Sequence, residues 1–334
     1  MAAIGGVLHF ATDEDVATFV VCALALAGLA WLVALGTESI GARFGPAVTG
    51  VLQSTLGNLP EFFVVLFALS AGETLVAQTS ILGSLFANGL LVLGLAIIAG
   101  ARAADDGCMR FGSRLPNDTA ILTLLSVFLI VILGLSDRIG DRASHHTVEI
   151  SVIGAIVLLA VYATWLPGYL RSDPPAAEGG TAALSFPVAL ALLAAAGTAA
   201  ALVSDWFIAA LDPAVESLGI SKSFTGLVIV GIAGNAVENV VGVTLAAKGK
   251  SDLALAVVKN SVSQIAVFLY PVLVLVSLFF ADRLTFVVNP VLTGALALTA
   301  IAMWAITGDG KAEAFEGWAL AGFYVILAAL VWFE

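Results

Sequence analysis

Long apolar runs follow one another along the chain, separated by short clusters of glycine, proline or charged residues. Ten runs are each long enough to cross a hydrocarbon core about 30 Å thick as a helix. They cover residues 16–36, 46–71, 74–100, 118–136, 147–167, 183–204, 222–247, 252–280, 285–307 and 313–333. A piece at 206–218 is expected to extend the sixth run as a bent or interfacial segment. The pattern predicts an all-α integral membrane protein with about ten transmembrane helices.

The runs divide into two sets of five on either side of the polar stretch RSDPPAAEGGT. Because five is an odd number, the second set enters the membrane in the opposite orientation to the first. A motif recurs in matching places, with GNLPE at 57–61 and GNAVE at 234–238. We therefore expect a first inverted repeat at 1–170, a cytoplasmic connector at 171–182 and a second inverted repeat at 183–334. Transporters built this way hold their substrates near the membrane midplane.

Composition and charge agree with a membrane protein and exclude other classes. Hydrophobic residues make up 60% of the chain, charged residues 11%, and the mean hydropathy is +1.08. The net charge of −11 argues against nucleic acid as a partner, because phosphate binding needs clustered Lys and Arg. The loop distribution of Lys and Arg favours an N-terminus outside the cell. No signal-peptide pattern precedes the first run, so we expect a retained span in a prokaryotic inner membrane.

Two glutamates lie about halfway through their runs, where a charge is costly. Pro60 removes a helical N–H and clashes with the preceding turn, and Gly234 weakens its helix, so both helices are expected to break at the midplane. A carboxylate at the bilayer centre costs several kcal/mol unless it is paired, protonated or bound to a metal. Lys259, the one basic residue inside a run, cannot serve both Glu61 and Glu238. A bound metal ion or protons are then left to compensate the two carboxylates, as is expected in an ion exchanger.

Amide and hydroxyl side chains around the glutamates supply further oxygen ligands. The candidates are Asn58, Asn235, Ser80, Ser84, Asn88, Asn260, Ser261, Ser263 and Gln264. The spacing of Ser84 and Asn88 is i, i+4 and that of Ser261 and Gln264 is i, i+3, so each pair shares a helix face. Calcium is coordinated by about six to eight oxygens, which come from carboxylates, amides and carbonyls. The chain offers all three kinds.

Catalytic motifs are missing from the sequence. It contains no HExxH, GxSxG or phosphate-loop pattern, so we expect neither enzymatic activity nor a resident cofactor. The two cysteines, Cys22 and Cys108, are far apart and indicate neither a disulfide framework nor a zinc site. An ion channel and an intramembrane enzyme are the alternatives from other functional classes, and a channel would need a continuous pore.

The paired motifs resemble those of the calcium/cation antiporter superfamily, and within it the cation/proton exchangers, whose repeats carry GN-x-P-E and GN-x-x-E. The resemblance continues through ILGSLFANGLLVLGLA and NSVSQIAVFLYPVLVL. It implies secondary antiport of calcium against protons by alternating access. By that resemblance, Glu61 and Glu238 would be the principal ligands, surrounded by Asn58, Asn235, Ser84, Asn88, Ser261 and Gln264. The partners would be calcium ions, protons and the lipid bilayer.

Other ion pairs remain as alternatives: sodium or potassium exchanged for protons, or sodium exchanged for calcium. The sodium/calcium branch typically carries hydroxyl residues where Asn58 and Asn235 stand, so the resemblance favours protons. Lys259 departs most from the pattern, because relatives are apolar at its position. We expect its long side chain to snorkel to the interface and keep its charge in water. The competing possibility is that it reaches Glu238 as a tethered cation.

Overall fold

The computed structural model describes residues 1–11, 14–41, 56–171 and 183–334. Nearly all of this chain is helical. Its elements are α1 (Ala2–Ala11), α2 (Asp15–Gly41), α3 (Leu59–Ser70), α4 (Thr74–Ala103), β1 (Cys108–Arg110), α5 (Arg114–Ile139), α6 (Thr147–Arg171), α7 (Phe186–Ala209), α8 (Leu211–Leu218), α9 (Lys222–Gly234), α10 (Ala236–Ala247), α11 (Ser251–Ser277), α12 (Pro290–Thr307), β2 (Lys311–Glu313) and α13 (Ala314–Trp332). The prediction of an all-α protein is confirmed, with one short strand pair added.

Eight helices of the described ranges are long and apolar enough to cross a membrane. A ninth span results if α8 and α9, which meet at 114°, are taken together. The chain is therefore an integral membrane protein, although the predicted count of ten is not reproduced in these ranges. The second predicted run, 46–71, begins in residues 42–55, which lie outside them. The seventh, 222–247, is divided at Asn235 into α9 and α10.

The described chain forms two compact units, each assembled from both halves of the sequence. Unit 1 contains Met1–Gly83 and Trp165–Val237, together with Glu334. Unit 2 contains Ser84–Thr164 and Glu238–Phe333. The predicted repeats at 1–170 and 183–334 remain a prediction. Most of the predicted connector, residues 172–182, lies outside the described ranges.

Unit 1 is organised around the pairing of α2 with α7. The rings of Phe19 and Phe207 stack between these helices, with centroids 4.7 Å apart. Helices α1 and α3 pack on the same pair. The first part of α4 crosses α9 backbone to backbone, because a Cβ on Gly231 would lie 2.6 Å from the carbonyl carbon of Gly83. Glycine at both positions permits this approach.

Unit 2 packs α5 against α12 and α13 against the second part of α4. Strands β1 and β2 join the loops that follow α4 and α12, and they pair antiparallel with Cys108 opposite Glu313. The carboxylate of Asp252, in the first turn of α11, accepts from the backbone N–H of Gly112 at 2.7 Å. These bonds tie three loops of unit 2 together.

Charged side chains fasten loops within each unit. In unit 1, Nζ of Lys222 lies 2.8 Å from both carboxylate oxygens of Glu73 and 2.7 Å from a carboxylate oxygen of Asp212. In unit 2, the side chain of Asp141 accepts from the backbone N–H groups of the 3₁₀ turn Arg142–His146 and from the hydroxyl of Ser136 at 2.5 Å. That hydroxyl is the main cause of a pKa for Asp141 below its ordinary value.

Three helices contain a stretch of π-helix, and two of these stretches contain or adjoin a residue of the predicted site. These stretches are Ala87–Val92 in α4, Thr225–Val230 in α9 and Ile265–Leu269 in α11. Asn88 lies inside the first, and Gln264 directly precedes the third. A wide turn shifts the rotational phase of every side chain beyond it, and such turns are frequent at functional sites. Of the predicted ligands, Asn88 is the one that lies inside a π-helical stretch.

Candidate ion-binding site

The first motif lies at the start of a buried helix. Helix α3 begins at Leu59, directly after Asn58, and Pro60 occupies the first turn, where its missing N–H costs no helical bond. Glu61 is the third residue of the helix and is 3% exposed. The prediction that the chain breaks its helix at GNLPE is confirmed within the described residues. The positive end of the helix dipole favours a carboxylate at this position.

The second motif repeats this arrangement. Helix α9 ends at Gly234, Asn235 is outside the helices with φ −97° and ψ 20°, and α10 begins at Ala236. Glu238 is again the third residue of its helix, and it is 2% exposed. Both glutamates are therefore buried in the first turn of a helix that starts at the motif asparagine. The expected break at Gly234 is confirmed.

The side chain of Glu61 is fixed by the second motif, and all of these residues belong to unit 1. Nδ2 of Asn235 donates to Oε1 of Glu61 at 2.5 Å and to the carbonyl oxygen of Gly231 at 2.7 Å. A Cβ on Gly234 would lie 2.5 Å from Cγ of Glu61, so this side chain lies directly on the glycine backbone. A small cavity beside Glu61 is otherwise lined by apolar residues, among them Phe207. The carboxylate is thus held in one conformation in apolar surroundings.

Four further predicted ligands lie in unit 2. Ser84 and Asn88 on α4, and Ser261 and Gln264 on α11, are all fully or almost fully buried. Nδ2 of Asn88 donates to Oγ of Ser261 at 3.0 Å, which brings the two helices together at these residues. Glu238 is buried in the same unit. The structure thus brings together Glu61 with Asn235 and Asn88 with Ser261.

The donor chemistry indicates what kind of cation these side chains suit. Across the described ranges, no three His, Cys, Asp or Glu side chains are close enough to hold a metal ion. The predicted residues themselves offer amide and hydroxyl oxygens as well as carboxylates. Hard cations such as calcium accept such ligands, whereas zinc prefers nitrogen and sulfur.

The expectation for Lys259 is wrong. Its side chain does not reach interfacial water, since the residue is 1% exposed, and Nζ donates to Oγ1 of Thr307 at 3.1 Å. The competing idea also fails, because no carboxylate oxygen of the described residues, including Glu238, lies within 4.0 Å of this nitrogen. Helix α5 and the second part of α4 pack on this part of α11, which the sequence placed near the start of a span.

Two contributors to these surroundings were not found by sequence reasoning. The carbonyl of Gly231 orients Asn235, and the hydroxyl of Thr307 accepts from Lys259. The predicted helix break gave a signal for the first, because a broken helix leaves carbonyl groups near its end for side chains. No sequence signal pointed to Thr307, since a threonine in an apolar run usually donates to its own helix.

Comparisons with known proteins agree with the repeated motif. The chain is 28% identical to the Ca²⁺/H⁺ antiporter of Aphanothece halophytica, over 98% of this chain and 92% of the relative. It is 30% identical to the Ca²⁺/H⁺ antiporter ChaA of Bacillus subtilis, over 98% of this chain and 94% of the relative. The structure of native YfkE matches with a TM-score of 0.81 at 29% identity, covering 100% of this chain and 96% of the other.

The resemblance seen in the sequence is thereby confirmed over nearly the full length. The model of the family described as sodium/calcium exchanger protein matches residues 15–167 and 188–333. These ranges contain both motifs and every predicted ligand. The chain therefore belongs to the sodium/calcium exchanger protein family.

Proposed function

We propose that this chain exchanges calcium for protons across a membrane. The observation that carries the proposal is the pair of buried glutamates, Glu61 and Glu238, each in the first turn of a helix that begins at a repeated asparagine. Family membership and relatives that are themselves named Ca²⁺/H⁺ antiporters support this function. The transported ion is a substrate, and its exchange requires no covalent chemistry from the protein.

Coupling follows from competition between calcium and protons for the same carboxylates. Calcium binding requires Glu61 and Glu238 in the ionised form. Returning them empty and charged through a low-dielectric barrier would cost several kcal/mol for each charge. Protonation removes that cost, so the site crosses either with calcium or with protons. The burial of both residues supports this scheme.

The proposed ligands are the two glutamates and the six neutral side chains Asn58, Asn235, Ser84, Asn88, Ser261 and Gln264. In this scheme, Asn235 keeps Glu61 in a fixed conformation while the ion exchanges, and Asn88 holds the side chain of Ser261 in the same way. The hydrogen bonds at 2.5 Å and 3.0 Å support these roles. Amide and hydroxyl oxygens complete the shell that two carboxylates alone cannot fill.

The finer points of topology belong to the same proposal. We place the N-terminus outside, in the inner membrane of a prokaryotic cell, with residues 171–182 on the cytoplasmic side and inverted repeats at 1–170 and 183–334. The Lys and Arg distribution and the recurring motif support this arrangement. Reaction of single cysteines, placed in loops of a cysteine-less variant, with an impermeant thiol reagent would test the orientation.

Flux into liposomes tests the function and its rivals together. Purified protein is reconstituted, and the uptake of radioactive calcium is followed under an imposed pH gradient and then under a sodium gradient with the pH gradient collapsed by a protonophore. Calcium should follow the pH gradient alone. Uptake that needed sodium would favour sodium/calcium exchange. Proton-coupled sodium or potassium flux without calcium transport would favour a monovalent cation antiporter.

A further inference from the structure

Lys259 is a basic side chain buried in unit 2 with a hydroxyl, not a carboxylate, beside it. Its Nζ donates to Oγ1 of Thr307, at the C-terminal end of α12. The Thr307 hydroxyl gives its own proton to the carbonyl of Met303 at 2.6 Å, so its oxygen serves Lys259 as acceptor. Thr307 is fully buried, and water therefore does not compete for this bond. The bond joins α11 to α12.

Lys259 lies on the side of α11 opposite to the proposed ligands Ser261 and Gln264. Residues 259–264 are α-helical, so successive side chains are about 100° apart around the axis. Ser261 is then about 200° and Gln264 about 140° from Lys259. The side chain of Lys259 and the side chains of the proposed ligands therefore project from opposite sides of α11.

A second hydrogen bond holds the side of α11 that carries the proposed ligands. Nδ2 of Asn88, in the π-helical turn of α4, donates to Oγ of Ser261 at 3.0 Å. The helix is thus fixed on one side through Ser261 and on the other through Lys259. With both bonds in place, α11 cannot turn about its own axis without losing one of them.

We propose that Lys259 is a positioning residue for transport, whose bond to Thr307 sets the rotation of α11 and so the direction of the oxygens of Ser261 and Gln264. A side-chain atom lies about 6 Å from the helix axis, so a rotation of about 20° moves it by about 2 Å. That distance is close to the whole length of a calcium–oxygen bond. The inference rests on the proposed function, because it concerns the same ligands.

Two other roles make different predictions. If the buried charge acts on the ion directly, removing Lys259 changes calcium affinity, but removing its acceptor does not. If the pair only adds stability, both changes lower the unfolding temperature without altering the calcium KM. The positioning role requires that the acceptor matters as much as the lysine, and that the two residues act as one unit.

The experiment measures calcium KM, kcat and thermal unfolding for variants of the full-length protein in liposomes under a fixed pH gradient. Thr307→Val removes the acceptor and keeps the shape, while Thr307→Ser restores a hydroxyl. Thr299→Val is the matched control, because Thr299 on the same helix donates to its own helix and, among the bonds described, to nothing else. Lys259→Met and the double variant with Thr307→Val complete a double-mutant cycle.

We expect Thr307→Val to raise the calcium KM by roughly three- to tenfold, with kcat within about twofold, which is the scale of one buried hydrogen bond. Thr307→Ser and Thr299→Val should match the wild type, and the double variant should be no worse than the Lys259→Met single variant. If Thr307→Val is recovered too poorly to assay, Thr307→Ala serves in its place with the same expected result.

A wild-type KM in the folded variant that lacks the acceptor would overturn the proposal, as would additive effects in the cycle. A calcium KM that changes in Lys259→Met but not in Thr307→Val would assign the effect to the charge of Lys259. These outcomes differ from a failure of the proposed function, in which the wild-type protein itself takes up no calcium under a pH gradient.

Discussion

Replacing Gly234 by alanine should displace the Glu61 carboxylate while leaving the rest of unit 1 intact. The new Cβ would lie 2.5 Å from Cγ, 2.6 Å from Oε1 and 3.0 Å from Cδ of Glu61. Ordinary contact between such atoms needs about 3.5 Å or more, so the side chain must retreat by about 1 Å. Because Cγ is near the main chain, a turn of the terminal carboxylate alone cannot relieve the contact. The hydrogen bond from Asn235 would be lengthened or lost.

The expected magnitude follows from that bond. A hydrogen bond to a charged group contributes about 1.5–3 kcal/mol, which corresponds to roughly ten- to a hundredfold in calcium affinity if the displaced carboxylate no longer faces the ion. The assay is the calcium KM for uptake driven by a pH gradient in liposomes. Gly28→Ala is the control, because a Cβ at Gly28 on α2 would have no atom within 4 Å.

A second measurement separates displacement of Glu61 from a change in the helix itself. Glu61→Ala removes Cγ, Cδ and Oε1, the three atoms that meet the new Cβ. Adding Gly234→Ala to Glu61→Ala should therefore lower the unfolding temperature much less than adding it to the wild type. The reasoning is refuted if Gly234→Ala keeps a wild-type KM, or if its cost is the same in both backgrounds.

Three more predictions concern charged side chains. Glu61→Gln and Glu238→Gln should each abolish proton-driven calcium uptake in protein that still elutes as a folded species, and normal flux in either would exclude that residue as a ligand. Lys222→Met should lower the unfolding temperature in low salt, and the difference should shrink in high salt, because the ion pairs of Lys222 are partly exposed. The hydrogen bond from Ser136 lowers the pKa of Asp141, so the ionised carboxylate of Asp141 stabilises the folded protein. This stabilisation is present above the ordinary aspartate pKa and is lost as the pH falls through the lowered pKa. The unfolding temperature of Asp141→Asn should accordingly depend less on pH in the acid range than that of the wild type, and equal slopes would contradict this account.

Sequence reasoning predicted the features that depend on local chemistry. Pro60 interrupts a helix wherever it occurs in an apolar run, so the break before α3 could be read directly from the motif. The burial of Glu61 and Glu238 followed from their positions within long apolar runs. The repeated motif also led to the right family, because a duplicated buried carboxylate is rare in a membrane protein.

Features that depend on packing between distant segments were not predictable in this way. Lys259 is eight residues into α11, from which the sequence predicts snorkelling, but α11 packs there against α5 and the second part of α4, and the side chain is buried. The bond to Thr307 joins residues far apart in sequence, and nothing in either local pattern indicates it. The direct approach of Glu61 to Gly234 is of the same kind, since each motif alone predicts only its own helix break.

The strand pair of unit 2 has a consequence for biosynthesis. Strand β1 is synthesised well before its partner β2, which ends at Glu313. Every segment of unit 1 up to Val237 is synthesised before β2, so unit 1 can fold, apart from Glu334, while β1 still has an unpaired edge. Until β2 has left the ribosome, that edge therefore stays unpaired. A nascent chain stalled before Lys311 should be cleaved by added protease in the loop around Cys108, while one extended by a C-terminal linker until Glu313 has left the ribosome should resist.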